Sequence, residues 1–188
     1  IQNAISSGMK NDNLSLEEGG SQARAYADAI VTYLSMAMGK LANWNSALCS
    51  WNPQSMTIRY SFARQAIPMV WDYTEVNPFT DSIGSFNNQV KSIIETLKKL
   101  PLNGKSRINN LDSSETLGIK NISPLVCTDP PYYDNISYAG LSDFFYVWHR
   151  TSLGKIWTSL FATILTPKEK ELIANPYNDI KYNPRGTI

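Results

Sequence analysis

The chain has 188 residues, 43% of them hydrophobic and 18% charged, with 17 Lys plus Arg against 16 Asp plus Glu and a formal net charge of +1. This is ordinary globular composition with enough apolar residues for a sizeable core, which excludes intrinsic disorder. The near-neutral charge excludes a general attraction to nucleic acid, so any such grip is local or supplied by other segments.

No apolar run reaches membrane-spanning length, and the start lacks a charged-then-apolar signal pattern. Cys49 and Cys127 are far apart in apolar stretches, so a reduced, cytoplasmic protein is expected. The sequence begins at Ile1 and stops after Pro184-Arg185-Gly186-Thr187-Ile188 with no closing element, which suggests a piece of a longer protein. There is no internal repeat, P-loop, zinc-ligand spacing or nucleophile-base-acid constellation.

Residues 1–20 are polar and broken by Gly8, Gly19 and Gly20, and read as a loosely held leading segment without function; residues 21–188 carry the fold. From Ser21, taken as an N-cap, apolar side chains recur at Tyr26, Ala29, Ile30, Tyr33, Leu34, Ala37, Leu41, Trp44 and Leu48. That spacing predicts a long amphipathic helix with these residues as its core stripe. Pro53, Pro68 and Pro78 forbid a long helix beyond it, and Ile58, Tyr60 and Phe62 alternate as in a short strand. In this stretch Arg59 and Arg64 are planar forks suited to phosphate, while Trp71, Asp72, Glu75 and Asn77 either line a cleft or, more simply, pack and form a solvated turn.

After Ser85, the positions Phe86, Val90, Ile93, Ile94, Leu97 and Leu100 predict a second helix, stopped by Pro101. Residues 106–111 read as a short strand ended by Asp112, and 123–128 as a buried strand. Helix, strand, connection, strand is the order of successive parallel strands in an α/β sheet, with a ligand crevice between the tips bearing Asp112 and Asp129. Leu141, Phe144, Phe145, Val147 and Trp148 then predict an aromatic helix packed on the sheet. It carries Asp143 and the lone histidine, His149, read as structural. Thr166-Pro167-Lys168-Glu169 is a capping box predicting a short helix to Ala174. Lys168, Lys170, Lys181 and Arg185 read as scattered surface cations or phosphate contacts.

The most informative residues are Asp129-Pro130-Pro131-Tyr132. A nucleobase amine is a poor nucleophile because its lone pair is conjugated with the ring. Two acceptors aimed at its N–H bonds, the Asp129 carboxylate and the Pro130 carbonyl, draw that pair out. Successive prolines hold both oxygens in place, and Tyr132 stacks on a base swung out of its duplex. Read alone, the four residues also fit a plain turn. The preceding apolar run and the continuation Tyr133-Asp134-Asn135-Ile136 favour the amine device, with Tyr133 as a second ring and Asp134 and Asn135 bracing the loop or touching sugar.

These residues resemble the amino-group methyltransferases, which act on adenine N6 or cytosine N4 and carry an Asp/Asn/Ser-Pro-Pro-aromatic motif. The nonapeptide from Thr128 to Ile136 and its flank Leu141-Ser142-Asp143-Phe144-Phe145-Tyr146-Val147-Trp148 are similar to the large bacterial and archaeal adenine-specific DNA methylases that carry a DUF1156 region. Tyr26-Ala27-Asp28-Ala29, the stretch from Arg64 to Asp72, and Asn77-Pro78-Phe79 extend the resemblance over most of the chain. It departs at Gly140, usually acidic in the family, and at His149, usually aliphatic.

The resemblance implies a partial Rossmann-like (class I) S-adenosylmethionine-dependent methyltransferase fold, helix-rich, with parallel strands and flanking helices. Residues 21–188 would be part of its catalytic domain. It implies S-adenosylmethionine as cofactor, with Asp112 facing its adenine unless it merely caps a turn, no metal, and a flipped adenine of DNA as partner. The family's glycine-containing Asp-Pro-Phe-x-Gly-x-Gly loop has no counterpart here, so the rest of the same polypeptide is expected to complete the cofactor site. Alternatives are an RNA base amino-group methyltransferase and a catalytically silent scaffold of a DNA-modification complex.

Overall fold

The structure, a computed structural model, describes residues 1–101, 103, 108, 125–129, 132, 136–168, 171 and 173. Their elements are helix α1 (Gln2–Ser6), helix α2 (Ala23–Trp44), strands β1 (Ser50–Asn52) and β2 (Thr57–Arg59), helix α3 (Phe86–Lys99) and helix α4 (Tyr138–Leu153). The chain is thus mixed α and β but dominated by helix. Among the described residues the only sheet is the antiparallel pair β1-β2, so a parallel sheet is not seen there. No helix among them is long and apolar enough to cross a membrane.

Helix α2 forms where the spacing predicts, but begins at Ala23 behind Gln22 rather than behind Ser21. Its buried face also differs from the expected stripe. Ala23, Ala25, Ser35, Ala37 and Gly39 are buried, whereas Tyr26, Ile30, Tyr33 and Leu34 stay 38–51% exposed. Small side chains let another backbone come close, and α4 packs into the space they leave. A Cβ on Gly39 would lie 2.8 Å from His149 Nε2, so the imidazole occupies the volume that glycine vacates.

Hydroxyls close this seam. Ser35 Oγ lies 2.8 Å from His149 Nδ1 and 2.7 Å from Ser152 Oγ. Trp157 Nε1 donates to Thr32 Oγ1 at 2.9 Å. Each such bond is worth about 1 kcal/mol net, and more is lost if one buried partner is left alone. Among the described residues helix α4 therefore packs on α2 rather than on a sheet, and Phe144 and Phe145 meet Phe62 at ring separations of 5.3 and 5.2 Å.

Helix α3 matches its sequence signals closely. Ser85 is the N-cap and accepts from Asn88 N, Lys98 and Lys99 in the last turn face the negative end of the helix dipole, and the helix stops before Pro101. It packs on the other side of α2, where Lys40 Nζ donates to Ser92 Oγ at 2.8 Å.

Two other expectations fail. Of the expected buried strand 123–128, residues 125–128 are described; they belong to no strand and are exposed, Leu125 at 98%, since a short apolar run becomes a buried strand only when neighbours cover it. Of the expected strand 106–111 only Ile108, 93% exposed, is described, and the rest lies outside the described residues. Residues 166–168, 171 and 173 are not helical, because Thr166 turns its hydroxyl to Ala139 O and Asp143 Oδ1 instead of capping a helix.

The leading segment is also tied down more firmly than its composition suggests. Glu17 accepts from the backbone and hydroxyls of Thr158 and Ser159, at 3.0 and 2.8 Å and at 3.1 and 2.6 Å. These donors, the Ser159 hydroxyl first, hold its carboxyl down at about 2.

Candidate functional site

The motif segment leads into α4. Ile136, 6% exposed, anchors the chain just before the helix. Ser137, at the N-cap, makes no side-chain cap bond; Glu171 Oε1 instead accepts from Ala139 N at 2.8 Å, capping the helix from 32 residues away. On the next turn, Asp143 accepts from Thr166 N at 2.9 Å and from Lys168 Nζ at 2.6 Å. Burial raises the Asp143 carboxyl pKa, but the bonds from Lys168 and Thr166 outweigh it and leave the pKa below the usual value. The start of α4 is thus a fixed mount for whatever precedes it.

Two expected site residues lie among the described ones. Asp129 is exposed and Tyr132 is 62% exposed. Neither side chain makes a hydrogen bond, ion pair or ring contact with another described residue. Pro130, Pro131, Tyr133, Asp134, Asn135 and the cofactor candidate Asp112 lie outside the described residues. Cys49 is a buried free thiol and Cys127 an exposed one.

A second feature arises between the hairpin and α3. The chain runs from β2 into Tyr60 and Ser61, where Ser61 N donates to Asn43 O at 2.9 Å, and returns where Thr74 N donates to Cys49 O at 3.0 Å. Ser61, 1% exposed, also joins Ser46 Oγ at 2.6 Å and Asn43 O at 3.0 Å, which makes a rigid floor. The loop held between these anchors bounds a cleft of about 400 Å³ lined by Arg59, Tyr60, Ser61, Arg64, Trp71 and Asp72 among others. Trp71, expected to pack, is 92% exposed. Glu75 and Asn77 are outside this lining; Glu75 accepts from Tyr73 Oη at 3.5 Å and Asn77 Oδ1 from Phe79 N at 3.0 Å. Sequence reasoning noted the arginines and the indole singly, but the anchoring bonds that gather them carry no sequence signal.

His149 is a packing residue. Burial lowers its pKa, and its Ser35 partner is 3% exposed, beyond reach of a substrate. No group of three metal-ligating side chains occurs among the described residues.

The described residues do not fit the methionine end of S-adenosylmethionine. Gly84, the one described glycine between a strand and a following helix, faces the side chains of Val76 and Trp44 at 3.4 and 3.6 Å and leaves no cradle. No family model, curated protein or solved structure matches the chain.

Proposed function

We propose that this chain is the amine-gripping part of an S-adenosylmethionine-dependent DNA methyltransferase that modifies adenine N6. The observation that carries the proposal is the Asp129-Pro130-Pro131-Tyr132 sequence with the Asp129 and Tyr132 side chains both exposed and without a bonded partner among the described residues. A carboxylate engaged in a salt bridge or turned into the core could not accept from a substrate amine. Asp129 accepts one N–H and the Pro130 carbonyl the other, which localises the nitrogen lone pair. Tyr132, with Tyr133, stacks on the extruded base, and Asp134 and Asn135 brace the loop. The amine loses its proton only after alkylation, so no strong base is needed.

On this proposal the parallel Rossmann-like sheet and the cofactor cradle are completed by the rest of the polypeptide, in keeping with the poor fit at Gly84. The same poor fit favours one rival, a catalytically silent scaffold domain. Calorimetric titration of S-adenosylmethionine into this chain and into the full-length protein separates them: binding to the full-length protein alone is expected, and no binding to either would mean a scaffold. Methyl transfer assayed on DNA and RNA in parallel is expected on DNA, and transfer to RNA alone would replace the substrate.

A further inference from the structure

We propose that the cleft between the hairpin and the loop after it is a strand-holding subsite, in which Arg59 and Arg64 take backbone phosphates of single-stranded DNA while a base stacks on Trp71. The inference rests on the nucleic-acid reading above and names how the extruded strand is held.

Two arginines line one cleft, and neither guanidinium group makes an ion pair or hydrogen bond with any described residue. Other described cations, Arg150 among them, are also without an ion pair; what sets Arg59 and Arg64 apart is that both line one cleft beside an exposed indole. A free planar fork matches a phosphate in both shape and charge.

Trp71, at 92%, exposes nearly its whole side chain, including both ring faces. An exposed indole in the same lining as two arginines offers a flat surface on which a base can stack. Asp72, its chain neighbour in the lining, supplies an acceptor for a base N–H or sugar hydroxyl beside the stack.

The volume, about 400 Å³, is at the small end of ligand sites and takes one nucleotide unit. Its rim residues Arg59, Arg64, Met69 and Trp71 are exposed, so a polymer can enter and leave, which an enclosed pocket for a free nucleotide would forbid. The floor is stiff because Ser61 and Thr74 are bonded to the end of α2 and to Cys49. The near-neutral chain charge requires any such grip to be local, and this is a local concentration of cation and ring.

The test uses full-length protein and a fluorescein-labelled single-stranded oligodeoxynucleotide, read by anisotropy across a salt series. Arg59→Gln combined with Arg64→Gln is expected to reduce the salt slope by roughly 1.4, the share of two phosphates on a single strand. Trp71→Ala is expected to weaken binding roughly 5- to 100-fold, the range of one base–ring stack. Unchanged far-ultraviolet circular dichroism and thermal midpoint confirm folded variants, as expected for exposed positions.

Wild-type affinity and slope in both variants would overturn the proposal, as would equal competition by inorganic phosphate, which would mark a simple anion site. Loss of binding in the variants together with absence of methyl transfer by the wild type would keep the subsite and defeat the methyltransferase reading. Normal transfer and normal binding in the variants would do the reverse.

Discussion

The seam between α2 and α4 and the cleft beside the hairpin use similar residue types in opposite ways. In the seam polar groups bond across the helix contact: Ser35 bonds His149 and Ser152, Thr32 holds Trp157, and Gly39 yields its side-chain volume to an imidazole. In the cleft and at the motif, the side chains of Arg59, Arg64, Asp129 and Tyr132 have no bonded partner among the described residues, and Trp71 lies open. Stability is invested where hydroxyls and small residues meet. Chemistry remains where charge and aromatic surface are left unused.

The contrast predicts that the two regions fail differently. Asp129→Ala is expected to cut methyl transfer by the full-length protein on the order of a hundredfold to a thousandfold, the scale of removing one oriented charge-stabilising group. Its thermal midpoint should not move, because the carboxylate is exposed and unpaired; a variant that melts early would make Asp129 a structural residue.

Gly39→Ala should do the opposite. Its Cβ would meet His149 Nε2 at 2.8 Å, and overpacking of this kind costs about 1–3 kcal/mol. Thermal unfolding should show the loss, with oligonucleotide binding by the folded fraction unchanged. Adding His149→Ala removes the clash and should recover part of the midpoint, since contacting sites couple. Strict additivity would break the packing account.

The smallest effect concerns Glu17. Its carboxyl is held at about 2 in the folded chain against 4.5 in the absence of those bonds, so its contribution is complete above pH 4.5 and declines as pH falls toward 2. Thermal midpoints of wild type and Glu17→Ala should differ at neutral pH and converge across that window. A constant gap would show that the carboxylate's bonds to Thr158 and Ser159 contribute nothing.

These contrasts explain what could be read in the sequence. Helix α3 was legible because its signals are local: Ser85 caps, Phe86 and Val90 set the period, and Pro101 ends it. The existence of α2 was legible too, but its buried face was not. Periodicity weighs large apolar residues, whereas the contact with α4 is made through small ones, Ser35 and Gly39. The apolar run ending at Thr128 was misread because burial depends on neighbours that a local pattern does not contain.

The candidate site divides in the same way. Asp129 and Tyr132 announce themselves through residue type and order. The cleft does not, because Arg59, Arg64 and Trp71 are gathered by bonds from Ser61 to Asn43 and from Thr74 to Cys49 that span 18 positions in one case and 25 in the other. Glu171 and Glu17 were missed for the same reason, since the groups they hold lie 32 and 141 residues away.

The central claim is that an exposed carboxylate grips an amino group for alkylation, and the position of the transferred methyl tests it most directly. DNA incubated with full-length protein and isotopically labelled S-adenosylmethionine, digested and resolved by nucleoside mass spectrometry, should carry the label on adenine N6. Label on a ring carbon such as cytosine C5, which needs no amine grip, or N6 label undiminished by Asp129→Ala, would contradict the account.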